Sequence, residues 1–419
     1  MPNSLPQFLP KLRADLDVMP SPSPEHPGLL LRDPFHYTDA ILVIPPALVP
    51  ALGYLDGEKS GRELSDFLSR RLGAEVPAEL LSHVIGTLQS QGFLETEEFY
   101  RMRQARQEEF RNLAERPAMH AGAAYPDHPG ALRQQFDAFF RSAPGRASED
   151  GIIGVAAPHV SPSGGWQSYA AAYAQLHATG EERTYVVLGT SHYGPPERFG
   201  LTRKPFLTPY GTLPIDTGMV DWIASRAGDA VVMEDYCHSI EHSIEFQCVF
   251  LQHVLGPSVR ILPILCGSFF ESLITGKAPE SNPAVRRVFD ALAELAEREG
   301  SRLFWVLGVD LTHIGRRYGD SFDVQAEQGR MKRIRERDLE RLDHYCRGEA
   351  GAFFDLVKPN QDELRWCGYA PMYTFLKAVP AARGSILNYE QWNIDEQSVV
   401  SCAAMSFMRT TPDSQTRSS

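Results

Sequence analysis

Residues 152–159 read IIGVAAPH, and residues 185–192 read YVVLGTSH. Each is a short apolar run that stops at small residues and then a histidine. Further strand-like runs stand at 231–233, 259–265, 303–309, 386–389 and 399–408. Between them lie helical stretches around 167–178, 241–255, 285–298, 324–348 and 369–378. This alternation predicts an α/β domain built on a single large sheet flanked by helices. The chain shows no internal repeat at solenoid periods.

In such sheets ligands collect beyond the carboxyl ends of the strands. Three of those ends carry reactive residues here: Pro158-His159, Gly189-Thr190-Ser191-His192 and Asp310-Leu311-Thr312-His313. A lone histidine at such a place is an ordinary hydrogen-bonded structural group. Three on one sheet point to a site. A helix then opens at Ser239-Ile240-Glu241-His242, where Ser239 is placed to cap and Glu241 to complement the helix dipole. His242 falls about half a turn from the apolar stripe of Ile244, Cys248, Leu251 and Leu255, which lets it face a cleft. Finally Cys367 precedes Gly368 at the start of a helical run. A helix N-terminus favours thiolate, the metal-binding form; a small buried residue is the alternative reading.

Working outward, residues 1–35 are rich in proline and read as an extended arm. Residues 36–112 read as a small module: a strand at Ile41–Ile44, a strand and turn at Tyr54 to Gly57, helices over 61–72 and 77–92, then a wing strand from Phe93. This order suggests a winged-helix-like unit, with charged residues 99–112 as a helical linker. Residues 113–412 hold the α/β pattern, and 413–419 form a polar tail expected to fray. The 36–112 module carries twelve acidic and eight basic side chains, a net of −4 within a chain of net charge −12. Phosphate contacts need the opposite sign, so nucleic-acid binding is excluded as its role. No apolar run is long enough to span a membrane, and no signal-peptide core opens the sequence. The six cysteines form no CxxC pair. Together these features predict a cytoplasmic, reducing location.

At the residues quoted above, the chain resembles the Memo family, known in bacteria and archaea as AmmeMemoRadiSam system protein B. The resemblance covers roughly residues 117–410. It runs through Ala121-Gly122-Ala123-Ala124-Tyr125-Pro126, Ala157-Pro158-His159, Leu188-Gly189-Thr190-Ser191-His192, Glu241-His242-Ser243-Ile244-Glu245, Ile261-Leu262-Pro263-Ile264, Asp310-Leu311-Thr312-His313 and Cys367-Gly368. Each piece is weak alone, but seven in order are specific. The family fold is similar to the class III extradiol dioxygenases. The resemblance implies a mononuclear metal site of His159, His192 and Cys367, the cysteine standing where those dioxygenases use a glutamate. It also implies an acid/base role for His242. Asp310, His313 and Glu241 join the candidates as substrate-contacting or orienting groups. The family's HAGYxYSG segment is replaced by His159-Val160-Ser161-Pro162-Ser163-Gly164-Gly165-Trp166. Both tyrosines are lost, and so is the acid of the longer members' variant, with Ser161 in its place. The turn is expected to persist on Gly164 and Gly165. More loosely, the N-terminal module resembles the winged-helix peptide chaperone of pyrroloquinoline quinone assembly, which implies a radical-SAM protein as partner.

Two functions stay open on the sequence. One is an enzyme: iron or copper, with zinc also compatible, doing redox or dioxygenase-like chemistry on an unidentified small molecule or peptide. The other is a metal-binding scaffold or signalling protein that holds a peptide or protein partner.

Overall fold

The computed structural model describes residues 7–142, 151–177 and 182–410. The 413–419 tail lies outside them. The chain divides into two compact units, Met1–Asn112 and Leu113–Ser419.

In the first unit three short strands, β1 (Asp17–Pro20), β2 (Leu29–Arg32) and β3 (Ile41–Ile44), form an antiparallel sheet in that order. Helices α1 (Gly61–Leu72), α2 (Ala78–Ser90) and α3 (Glu97–Asn112) follow. Ser60 and Glu63 close a reciprocal capping box at α1, and Gly73 ends it in the left-handed conformation at φ 69°. Leu64, Leu68, Leu81, Ile85, Leu88 and Phe93 form the core. Three expectations are corrected here. The stretch read as an extended arm supplies β1 and β2, because its Leu29-Leu30-Leu31 run pairs on both sides. The strand expected at Tyr54 is the end of a 3₁₀ turn, Val49–Tyr54. The wing from Phe93 reduces to one bridge between Leu94 and Leu12 before α3 begins.

The second unit starts with α4 (Pro129–Ser142). It continues β4 (Ile152–Ala157), α5 (Trp166–Tyr173), β5 (Thr184–Thr190), β6 (Phe199–Leu201), β7 (Phe206–Thr208) and β8 (Gly211–Leu213). Next come α6 (Thr217–Ala227), β9 (Val231–Met233), α7 (Cys237–Ile240), α8 (His242–Leu255), β10 (Arg260–Cys266) and α9 (Phe270–Thr275). Last are α10 (Pro283–Glu299), β11 (Leu303–Gly308), β12 (Asp310–Gly315), α11 (Arg330–Cys346), α12 (Ala350–Val357), α13 (Tyr369–Ala378), β13 (Ala382–Asp395) and β14 (Ser398–Arg409). A nine-stranded mixed sheet runs β12-β14-β4-β11-β5-β10-β6-β9, with β13 on the other side of β14. β4, β11, β5 and β10 are parallel neighbours. Their continuous apolar sequences fit strands covered on both faces. No helix of the described residues is long and apolar enough to cross a membrane.

Three features position the site. First, β12 and β4 lie end to end along one edge of β14: Asp310 faces Cys402 and Ala156 faces Met405. The segment read as the carboxyl end of the 303–309 strand is therefore a strand of its own, with a bulge between Asp310 and His313. Second, α8 sits directly on the sheet. A Cβ at Gly189 would come within 2.6 Å of Ser243 Oγ, and one at Gly308 within 2.2 Å of Ser243 O. Only glycine admits that approach. Third, a buried ion pair ties residues 116–125 to α8. Arg116 contacts Glu245, and both side chains are fully buried. Arg116 also donates to His238 O at 2.7 Å and Glu241 O at 2.9 Å. Glu245 accepts from Met119 N, His120 N and the Tyr125 hydroxyl.

Breaking such a pair on one side strands a buried charge. Arg116→Met should cost about 3–5 kcal/mol in urea denaturation. Arg116→Met with Glu245→Gln should recover part of it, since no charge is then left alone. Burial alone would raise the Glu245 pKa, but Arg116, His120 and Tyr125 hold it below the ordinary carboxylate value. A depressed folded pKa gives stability that is present above the unfolded value of about 4.3 and lost as pH falls through the folded one. Wild type should thus lose more stability on acidification than the double variant.

Candidate metal centre

The site is built around Glu241. The sequence pattern placed a helix cap at Ser239, but α7 ends at Ile240 and Glu241 itself caps α8. The α8 dipole and its open N–H groups favour an anion there. The buried carboxylate accepts from His242 N at 2.9 Å, Ser243 N at 3.2 Å and His192 N at 2.9 Å. It also meets two imidazoles, His192 Nδ1 at 3.0 Å and His242 Nδ1 at 3.2 Å. One carboxylate thus holds the Nδ1 of His192 by hydrogen bonds and lies beside the Nδ1 of His242.

His159 is oriented from the opposite side. Its Nδ1 pairs with Gly308 O at 2.9 Å, and its backbone N donates to Asp310 Oδ1 at 2.9 Å. That contact exists because β12 begins where β4 ends. β4 and β5 are not neighbours; β11 separates them. The His159 and His192 rings meet across the end of β11, with centroids 5.0 Å apart. His242 stacks on His192 at 5.0 Å and stands edge-on to His159 at 5.2 Å.

Cys367 precedes α13 and is pinned by its backbone. Thr190 Oγ1 donates to its carbonyl at 3.1 Å, and Gly368 N donates to Asp310 O at 3.0 Å. Its Sγ is 3.2 Å from His159 Nε2 and 4.0 Å from His313 Nε2. Asp310 Oδ2 lies 3.4 Å from His159 Nε2. Among the described residues two sets of donor atoms fall within 4.8 Å of one another: His159, His192 and His242, and His159, Asp310 and Cys367. His159 belongs to both. The expected trio of His159, His192 and Cys367 bridges the two sets rather than forming either.

The electrostatics follow burial. Burial lowers the pKa of His159 and lowers that of His242 further, despite Glu241 beside it. Burial also acts on His192, but the Glu241 carboxylate overcomes it and raises that pKa. His313 is pushed down to about 4 by burial. Cys367 rises well above the ordinary thiol value, through burial and then the Asp310 charge. A helix start does not make it a thiolate on its own; a nearby cation is required.

The departure after His159 is accommodated as expected in outline, for a different reason. Gly164 and Gly165 are needed for close approach, not for left-handed backbone. A Cβ on Gly164 would meet the Trp392 ring at 2.7 Å, and one on Gly165 would meet Val160 at 2.8 Å. The sequence reading missed His120. Its ring lies 5.7 Å from His242, and its Nε2 pairs with Ile240 O at 3.0 Å. The signal was its place directly before Ala121-Gly122.

A family model described as Memo-like protein matches residues 116–406. The chain belongs to the Memo family. Similar proteins, each described as a MEMO1 family protein, come from several organisms. One of Aquifex aeolicus is 24% identical over 383 residues, covering 90% of this chain and 95% of that protein. One of Thermus thermophilus is 27% identical over 330 residues, covering 78% and 91%. One of Methanopyrus kandleri is 29% identical over 311 residues, covering 70% and 99%. The Aquifex match takes in part of the first unit, since the Memo domain alone is too short to supply it.

Glu241 is the group on which this Memo site turns. In metal-free Glu241→Gln, His192 loses the carboxylate that raises its pKa most, and only the weaker effect of Asp310 is left to oppose desolvation. The His192 titration, followed by NMR, should move below the wild-type value; an unchanged midpoint would remove Glu241 from this role.

Proposed function

We propose that this Memo protein is a metal-dependent oxidoreductase whose single ion is held by His159, His192 and Cys367, with His242 as the proton-handling neighbour. One observation carries the reading. The Nδ1 atoms of His159 and His192 are both taken by acceptors, Gly308 O and Glu241, which leaves Nε2 as the donor atom of each ring; that of His159 faces Cys367 Sγ and Asp310 Oδ2. A metal-bound histidine shows this pattern, its other nitrogen donating to a carbonyl or carboxylate. The Cys367 sulfur 3.2 Å from His159 Nε2 supplies a softer donor. The donor set fits iron, copper or zinc.

Iron or copper bound there would supply open positions for O₂ and an oxidisable substrate. The chain's own residues do the rest. Glu241 lies beside His242 Nδ1 at 3.2 Å, so Nε2 is the atom at which His242 can take or give a proton. Burial keeps that ring neutral, the accepting form. Asp310 holds the His159 backbone, and His313 Nε2 lies 4.0 Å from the thiol. The substrate is a small molecule or a peptide, and all six cysteines are unpaired, which suits a cytoplasmic enzyme.

A second reading, a metal-binding scaffold with a peptide partner, is favoured by the edge of the first unit. Among the described residues β3 pairs only with β2, and its Ile41 is 59% exposed. A peptide adding a strand there would find main-chain partners. A radical-SAM protein is the partner type this reading names.

Metal analysis of anaerobically purified protein tests the proposal. Wild type and His242→Ala should both carry metal, while His192→Ala and Cys367→Ala should lose most of it. His242→Ala should then fail to consume oxygen with a catechol-like or peptide substrate. A metal-free His242→Ala beside a metal-loaded Cys367→Ala would make the three imidazoles the site. A loaded wild type that consumes no oxygen would favour the scaffold.

A further inference from the structure

Away from the metal centre, a cavity of about 700 Å³ opens between α11 and the loop before Cys367. Arg330, Arg333, Ile334 and Arg337 line one wall. They stand at i, i+3, i+4 and i+7, one face of a helix. Arg365 lines the other wall.

The acids nearby are already engaged. Asp320 takes both arms of Arg365, at 2.9 and 3.0 Å. Glu363 pairs with Arg337. Asp362 accepts from Arg341 at 2.8 Å and Trp366 N at 2.6 Å. Two guanidinium groups remain. Arg330 lies over the Phe322 ring at 3.7 Å, and among the described residues neither it nor Arg333 donates a hydrogen bond or forms an ion pair. Two unspent forks one helical turn apart suit a tetrahedral anion, which offers oxygens to both, better than a carboxylate, which satisfies one. The first turn of α11 adds positive dipole, and no side chain caps it.

The facing loop supplies an independent sign. Asn360, Gln361, Asp362 and Arg365 all have φ between 53° and 60°. None is glycine. Such conformations cost energy and persist where the surroundings impose them, often at ligand sites. Here they hold Asp362 and Arg365 at the cavity wall.

We propose that this cavity binds a small phosphorylated molecule, with Arg330 and Arg333 as the groups that recognise its phosphate. The volume lies in the small-ligand range of about 300–1,000 Å³. The site is separate from the metal reading and stands or falls without it.

The test is calorimetric titration of the full-length protein with pyrophosphate and with glucose 6-phosphate, at constant ionic strength. A phosphoserine peptide and acetate serve as comparison arms. Saturable binding of both small probes is expected, with acetate far weaker. Arg330→Gln with Arg333→Gln should weaken it about tenfold or more, the loss of one or two charge-assisted contacts. Both side chains are exposed and glutamine keeps helix propensity, so the variant should fold. Arg333→Lys should fall between, keeping charge without the fork. Binding that the double variant leaves unchanged would put the anion elsewhere and overturn the proposal. So would the absence of saturation in wild type, or a peptide that binds more tightly than either small probe.

Discussion

A single buried carboxylate holds the centre of this protein together. Glu241 closes the start of α8, fixes the His192 backbone and faces the Nδ1 atoms of two histidines. A charge in such a place is costly unless every lone pair has a donor. Here the donors are the elements that must be arranged. Satisfying the carboxylate and building the site are the same act. Burial would drive its proton on, yet His192, His242 and the backbone donors hold it well below the ordinary value. The arrangement depends in turn on α8 lying against Gly189 and Gly308, and on Arg116 tying the Glu241 carbonyl to Glu245.

The fold was legible where burial on both faces left long apolar runs. β4, β5, β10, β11 and β14 and helices α8, α10 and α13 lie close to where the sequence pattern sets them. α4, α6 and α12 were not read. α6, for instance, presents Thr217-Gly218 at its start, a poor helix signal that the Asp216 cap offsets. β12 escaped because its pairing with β14 is non-local and broken by a bulge. In the first unit, prolines around Leu29-Leu30-Leu31 masked a strand that pairing on both sides makes stable.

For the site, residue types were legible and their relations were not. His159, His192, His242, Asp310, His313 and Cys367 do gather in one place, as motif order implied. Which atoms share a donor set depends on strand order, and that is not written in spacing. With β11 between β4 and β5, the two histidines reach over a strand instead of standing side by side. With β12 abutting β4, Asp310 and Cys367 crowd His159 from the other direction. His159 is consequently common to both donor sets, and it is the position at which the two halves of the site meet.

The shared edge of β14 also sets an order of assembly. Asp310 meets His159 because β12 and β4 both lie along β14, and residues 398–409 follow every donor of the site in the chain. During synthesis the imidazoles and the thiol emerge first. The strand that aligns their supports comes later, and pairings of such sequence separation close slowly. A chain paused before β14 would expose thiol and histidines without the frame that orients them. The geometry that the proposed metal site requires is therefore complete only late in the life of the nascent chain.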